Sequence, residues 1–313
     1  MRIATYLHND SIRVGVVLDD GVAPLPSGTT VSDLLAASSA DRDRVAAEAG
    51  APVPLTDVHL LPPVQPGAYR DFVTFEEHVE GVVKSMGQGI VVEEWYEAPT
   101  FYFGNPYAMV GAHDDVPVPP GCEVFDFELE VAAIIGRPGR DLTPQEAREH
   151  IAGYTILNDW SARDLQRREM AVGLGPAKGK DTANTLGPWI VTADELERYR
   201  RDERLDLALT SKVNDQVIGT DQLSNMAWRF EDMVAYASRG SWVQTGDVLG
   251  SGTCGSGCLA ELWGRRGMQD PPPLRIGDVV TLEVEGIGVV SNRIVQGSAP
   301  NPIPSARRRE VGA

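Results

Sequence analysis

The sequence predicts a mixed α+β fold rich in strands, built as a small N-terminal β-rich domain and a larger β-rich body. Three observations carry that expectation. Residues 1–60 alternate short β-like runs, RIATYL and SIRVGVVLDD, with one helical patch, VSDLLAAS. The stretch LLPPVQPGAYR over 60–70 is Pro-rich and has the composition of a linker. Beyond it come many strand segments with isolated helices and no internal repeat, which argues against a doubly wound parallel sheet. The boundary is set at 64/65, giving domains 1–64 and 65–313, in keeping with a prior of roughly 100–200 residues per domain.

The elements of the larger body follow in order. FDFELEVAAIIG, residues 125–136, alternates and then turns wholly apolar, so a strand is expected to run into the core. TPQEAREHIAG supplies Thr143 as N-cap, Pro144 at the first helical position, Glu146 to close a capping box, and Gly153 as a stop. YTILNDW is again a strand. SARDLQRREM is expected to begin a helix capped by Ser161, with Asp164 three residues on. SNMAWRFEDMVAYASRG is expected to be the longest helix, with Met226, Phe230, Met233, Val234 and Ala237 at core spacing. TLEVEGIGVVSNRIV is a hairpin turning at Glu285–Gly286.

Composition narrows the function. The net charge is −17, from 45 acidic against 28 basic residues, and phosphate backbones call for the opposite balance, so nucleic acid is not expected as a partner. No apolar run approaches the ~20 residues that span a bilayer, and MRIATYLHND lacks the apolar stretch of a signal peptide. Cys122, Cys254 and Cys258 are too few for a disulfide framework. Cys254 and Cys258 have no histidine cluster beside them in sequence, which argues against zinc. A cytoplasmic protein is expected.

The strongest chemical signal is Asp126, Glu128 and Glu130. Residues two apart on a strand share a face, so the three carboxylates are expected to project together. One reading is an exposed acidic face on an edge strand. The other is a hard cation held by oxygen ligands, because the strand runs straight into VAAII and unpaired buried charge is costly. Asp159 ends the next strand, where a helix-entry role is the plainer reading. Arg163 and Gln166 lie three apart on the following helix. Lys180 sits in LGPAKGKD, which fails as a phosphate loop because no glycine stands five residues before Gly179 and Asp181 replaces Ser/Thr. Asp71 precedes His78 by seven residues, two helical turns. GSGTCGSGCLAELWG places Thr253 in a Gly-rich loop and Glu261 on the strand expected after it.

Together, D-x6-H, E-x-E, NDWSARDLQ, LGP-x-x-GKD, TLGPW and GSGT…ELWG resemble the fumarylacetoacetate hydrolase family over roughly residues 65–295. The likeness is closer to the longer hydrolases than to the short acylpyruvases. Those carry a glutamate three residues after their histidine, where Gly81 stands here. The resemblance implies a β-roll or sandwich catalytic domain behind a small β-barrel-like N-terminal domain, and a homodimer. It implies Asp71, Glu128, Glu130 and Asp159 as metal ligands, with Mg²⁺ foremost and Mn²⁺ or Ca²⁺ as alternatives. His78 matches the general base and Glu261 the acid that orients it. Arg163, Gln166 and Lys180 match groups that hold substrate and stabilise negative charge, and Tyr102 and Thr253 match substrate-contacting positions. Asp126 matches no ligand and is assigned a supporting role.

The implied activity is metal-dependent hydrolysis of a C–C bond in a β-diketone or acylpyruvate, by water activated at His78 and Glu261. The same scaffold implies alternatives: oxaloacetate decarboxylation, sugar-acid dehydration, hydroxymuconate-type isomerisation, or metal binding without catalysis. The stretch 79–103 matches the family only at Tyr102, which leaves the keto-acid or diketone unnamed.

Overall fold

A computed structural model describes residues 1–19, 21–85 and 90–309. The N-terminal region is a meander of β1 (Arg2–His8), β2 (Ser11–Val17) and β3 (Gly21–Pro24), followed by α1 (Val31–Ala36), α2 (Ser39–Ala47) and the short β4 (Val53–Pro54). Asn9 and Asp10 join β1 to β2 at positive φ, the two-residue hairpin chemistry that Asn and Asp tolerate. Thr30 and Asp33 close a capping box at the start of α1.

The body contributes β5 (Tyr69–Phe72), α3 (Glu76–Ser85), β6 (Phe101–Gly104), β7 (Leu129–Ile135), β8 (Ile151–Asp159), α4 (Arg163–Met170) and β9 (Asn184–Thr192). Then come β10 (Ala208–Val213), β11 (Gln216–Gln222), α5 (Phe230–Ser238), β12 (Val248–Gly250), α6 (Leu259–Arg266), β13 (Val279–Val284) and β14 (Gly288–Val295). The main sheet runs β4-β3-β2-β1-β9-β8-β7-β12-β5-β6. A second sheet, β11-β10-β13-β14 with Val116–Pro117 at its end, packs against it. The architecture is a β-sandwich with a small N-terminal unit joined edgewise through β1 and β9, where Ile3 pairs with Ile190.

Strand β7 shows why its run is wholly apolar. Val131, Ala133 and Ile135 enter one core together with Leu209, Leu282 and Val290 of the second sheet. Ala132 and Ile134 enter another with Leu35, Ile190 and Val248. A central strand buried on both faces has no need of polar alternation. Glu128 and Glu130 share the parity of Ala132 and Ile134, which sets them on the same side as Tyr69 and Leu157.

Several local expectations are corrected. The 125–136 segment is not one strand: Phe125–Asp126 pairs with Ser161–Ala162, and β7 starts at Leu129. That same pairing keeps Ser161 extended, so α4 starts at Arg163 behind Ala162, and Asp164 accepts from the Glu123 N–H instead of capping. Thr143 and Glu146 do form their capping box, but Gly153 lies inside β8, paired with Thr192. The helix expected from Ser224 begins only at Phe230. Ser224 donates to Asp206, the Ala227 N–H donates to Thr74, and Asp232 accepts from the Arg229 N–H where the helix starts. Among the described residues α3 is longer. The 281–295 hairpin stands, β13 against β14.

Candidate active site

Five segments deliver six candidate residues to one place. Asp71 comes from β5, Glu130 from β7, Glu128 from the residue before it, Asp159 from the end of β8, Lys180 from the turn before β9, and Tyr102 from β6. Oxygens of Asp71, Glu128, Glu130 and Asp159 all lie within 4.8 Å of one another. All four residues are buried, so the reading of an exposed acidic face is overturned. Asp126 does not join them. It turns towards α4 and α6, accepting from Arg163 Nε at 2.9 Å and from the backbone N–H groups of Leu259 and Ala260 at 2.9 and 3.0 Å.

The cluster is short of positive charge. Lys180 Nζ bonds Glu128 Oε2 at 2.6 Å and also contacts Asp159 Oδ2, so a basic side chain occupies one side of the centre. It is one cation against four carboxylates. Arg163 Nη2 reaches Glu128 Oε1 at 2.7 Å but is shared with Asp126 at the same distance. On the far side Asp71 Oδ1 and Glu130 Oε1 are buried without a hydrogen-bond partner. Burial, followed by repulsion from Asp71 and Glu128, drives the Glu130 carboxyl well above its ordinary range. Asp159 is driven up too, by burial that outweighs Lys180, and Asp71 is raised by burial. Burial would also raise Glu128, but Lys180, Arg163 and His78 together hold it well below the usual carboxylate range.

Such a donor set fits a divalent cation. It is all oxygen, its Asp71 and Glu130 edges have unanswered acceptors, and its charge deficit lies on the side away from Lys180. Gly250 leaves room for it: a Cβ there would stand 2.6 Å from Asp71 Oδ1 and 2.9 Å from Glu130 Oε2. Sequence reasoning missed the supports. Tyr69 Oη donates to Asp71 Oδ2 at 3.1 Å, the Gly252 N–H donates to Glu130 Oε2 at 3.0 Å, and the Asn184 amide faces Asp159 Oδ1 at 3.1 Å. Tyr69 stands two residues before Asp71 on one strand, a spacing that could have found it. Tyr102 Oη lies 2.7 Å from Asp159 Oδ2 and 3.2 Å from Asp71 Oδ2, so it braces the acidic cluster directly.

His78 is buried on α3, and its Nδ1 lies 3.2 Å from Glu261 Oε2. Asp71 and His78 therefore belong to a strand and a helix, not to one helix. Glu261 is on α6, correcting the strand expected there. Asp126 satisfies the orphan N–H groups at that helix start, Cys258 Sγ accepts from the Glu261 N–H, and Gly267 ends the helix in the left-handed region. A cap supplied from 133 residues away is invisible to local patterning. Cys258, which lacked a histidine neighbour in sequence, has His78 Nδ1 3.8 Å from its Sγ. Burial and then Asp126 push its thiol well above the ordinary range, so it packs as a neutral group.

Gln166 Oε1 accepts from Arg163 Nη1 at 3.2 Å, one turn along α4. Lys180 and its loop are fixed by Glu169, whose carboxylate accepts the N–H groups of Ala177, Lys178 and Gly179. Thr253 is buried beside Gly252. Of the stretch 79–103 expected to set substrate choice, residues 86–89 lie outside the described residues.

Residues 68–295 match the family model for the fumarylacetoacetate (FAA) hydrolase C-terminal region. The chain belongs to the fumarylacetoacetate hydrolase family. Residues 1–63 match a second model, Rv2993c-like, N-terminal. The chain is 32% identical to human mitochondrial oxaloacetate tautomerase FAHD2A over 189 residues, 60% of this chain and 56% of that protein. It is 30% identical to fumarylacetoacetase of Oryza sativa subsp. japonica over 271 residues, 71% of this chain and 63% of that protein. The match therefore spans less than two thirds of the length of either relative. A solved structure of 5-carboxymethyl-2-hydroxymuconate delta-isomerase from Mycobacterium smegmatis superposes with a TM-score of 0.71 at 27% identity, covering 95% of this chain and all of the other. Among the described residues no helix is long and apolar enough to cross a membrane.

Proposed function

We propose that this family member is a divalent-cation-dependent hydrolase that breaks the carbon–carbon bond beside a ketone in a β-diketone or acylpyruvate. The observation behind this reading is the His78–Glu261 pair standing against the carboxylate cluster, with a His78 ring nitrogen and a Glu128 oxygen within 4.8 Å. Asp71, Glu128, Glu130 and Asp159 would hold the cation, Mg²⁺ first and Mn²⁺ or Ca²⁺ as alternatives. Bound there, it would act as a Lewis acid on the substrate's carbonyl oxygens.

The chain's own groups account for the remaining steps. Glu261 only accepts as a carboxylate, so it fixes the proton on His78 Nδ1 and leaves Nε2 free as a base. Nε2 takes a proton from water while the oxygen adds to the carbonyl carbon. The oxyanion that forms needs placed donors. Arg163, Lys180 and Gln166 fill that role, each such donor being worth on the order of 3 kcal/mol of barrier. Collapse restores the carbonyl as a carboxylic acid and breaks the carbon–carbon bond. The electron pair leaves with the fragment whose own ketone delocalises it, and a proton from His78 or Lys180 completes that product.

The test is turnover of acetopyruvate with Mg²⁺, followed by absorbance, with and without chelator. His78→Ala should keep cation affinity and lose turnover; an active variant removes His78 from the mechanism. A second reading, keto–enol or diene isomerisation, draws support from the tautomerase and isomerase among the similar proteins. Labelled water separates the two: hydrolysis must place ¹⁸O in the carboxylic product, and isomerisation places none.

A further inference from the structure

Two helices packed against each other carry the two halves of the base pair. His78 rides on α3 and Glu261 on α6, and a Cβ at Gly81, one turn beyond His78, would overlap Glu261 Cγ. Glu261 Oε2 faces His78, both of its oxygens accept from the Ser256 N–H at 2.9 Å, and Oε1 meets Arg265 Nη2 at 2.5 Å. The same Nη2 reaches Glu77 Oε1 at 2.7 Å and the Glu77 carbonyl oxygen at 3.4 Å. One guanidinium nitrogen thus touches the acid on α6 and the residue next to the base on α3.

We infer that Arg265 is a positioning residue: it clamps the helix bearing the general base to the helix bearing its acid, and so holds His78 in one tautomer. Arg265 is about a third exposed, and ion pairs of that exposure contribute little to folding stability, so its weight falls on geometry. Without it, the oxygen of Glu261 facing away from His78 loses its cation and α3 loses its tie at the residue before the base. The Glu261 carboxylate can then rotate away from Nδ1. A lysine ammonium at shorter reach can keep the contact with Glu261, the one that fixes the carboxylate, while giving up Glu77. The catalytic consequence rests on the hydrolytic reading; the clamp itself does not.

The experiment compares wild type with Arg265→Met, Arg265→Lys and Glu77→Gln by ¹⁵N NMR of the imidazoles, with His78→Asn to assign the signal among five histidines. Wild type should show His78 protonated at Nδ1 alone. Arg265→Met should mix the tautomers and lower kcat by about tenfold or more, with KM, Mn²⁺ affinity and thermal midpoint held within error. Arg265→Lys should restore the single tautomer, and Glu77→Gln should keep it with a smaller loss of kcat. An unchanged tautomer and kcat in Arg265→Met overturns the inference, as does a loss shared equally by kcat, Mn²⁺ affinity and stability. If wild type turns over no diketone while Arg265→Met still mixes the tautomers, the hydrolase reading fails and the clamp stands.

Discussion

Glu130 concentrates the electrostatic conflict of the site, and its behaviour with pH follows from its surroundings. In the cation-free protein Glu130, Asp159 and Asp71 are all raised in the folded state, so folding takes up protons there. Their favourable contribution is complete below the unfolded carboxylate range near pH 4 and is lost as pH climbs through the raised values. Glu128 is lowered and Lys180 raised, each shift favouring the charged form. Both are charged in folded and unfolded chains between about pH 5.5 and 8, so neither reverses the slope. Chelated protein should therefore lose thermal stability over that window, and Glu130→Gln should flatten the loss. Added Mg²⁺ should restore stability most at the alkaline end, by about 2.7 kcal/mol at a hundredfold excess over Kd. A stability curve that rises with pH without metal contradicts this assignment. Binding should also release protons, seen as a heat that varies with the ionisation enthalpy of the buffer. At this scale much of the site was legible, because carboxylates two apart on an apolar strand carry their own conflict. Asp126 was the exception. Its parity matched Glu128, but strand pairing is interrupted at 127–128, between Phe125–Asp126 and Leu129–Ile135, and Asp126 bonds Arg163 and the start of α6.

At the scale of elements, the meeting of α3 and α6 decides whether base and acid face each other. Gly81→Ala puts a methyl into Glu261 Cγ, where the acid is already tied to the Ser256 backbone. Overpacking of this kind costs about 1–3 kcal/mol, and the strain falls on the dyad. The variant should lose kcat with Mn²⁺ affinity intact; wild-type kcat would show that α3 has slack at that contact. Helix α6 reads as a strand in sequence because part of its N-terminal cap is not local: Asp126 accepts two of its first N–H groups from 133 residues earlier. The helix expected at 224–240 starts only at Phe230 for a similar reason, with Ser224, Asn225 and Ala227 claimed by Asp206, Asp221 and Thr74. Thr143–Glu146 and Thr30–Asp33 show the converse, since capping boxes written within four residues survive folding.

Over the whole molecule, the strand-rich two-part plan was visible in periodicity and in the Pro-rich stretch. The edgewise joining was not, because strand pairing between residues as far apart in sequence as Ile3 and Ile190 leaves no local trace. Strand β1 covers the edge of β9, and Leu35 of α1 enters the core that holds Ala132, Ile134 and Val248. Deleting residues 1–63 should bare that edge and produce a protein that self-associates in sedimentation; a monodisperse, active remainder would show that the first unit is dispensable. All of these expectations depend on one centre, and calorimetric titration of chelated protein with Mn²⁺ and Mg²⁺ addresses it most directly. The expected result is one site per chain, abolished in Asp71→Asn and Glu130→Gln and retained in His78→Ala. No binding in wild type, or binding that survives loss of Asp71 and Glu130, would contradict it.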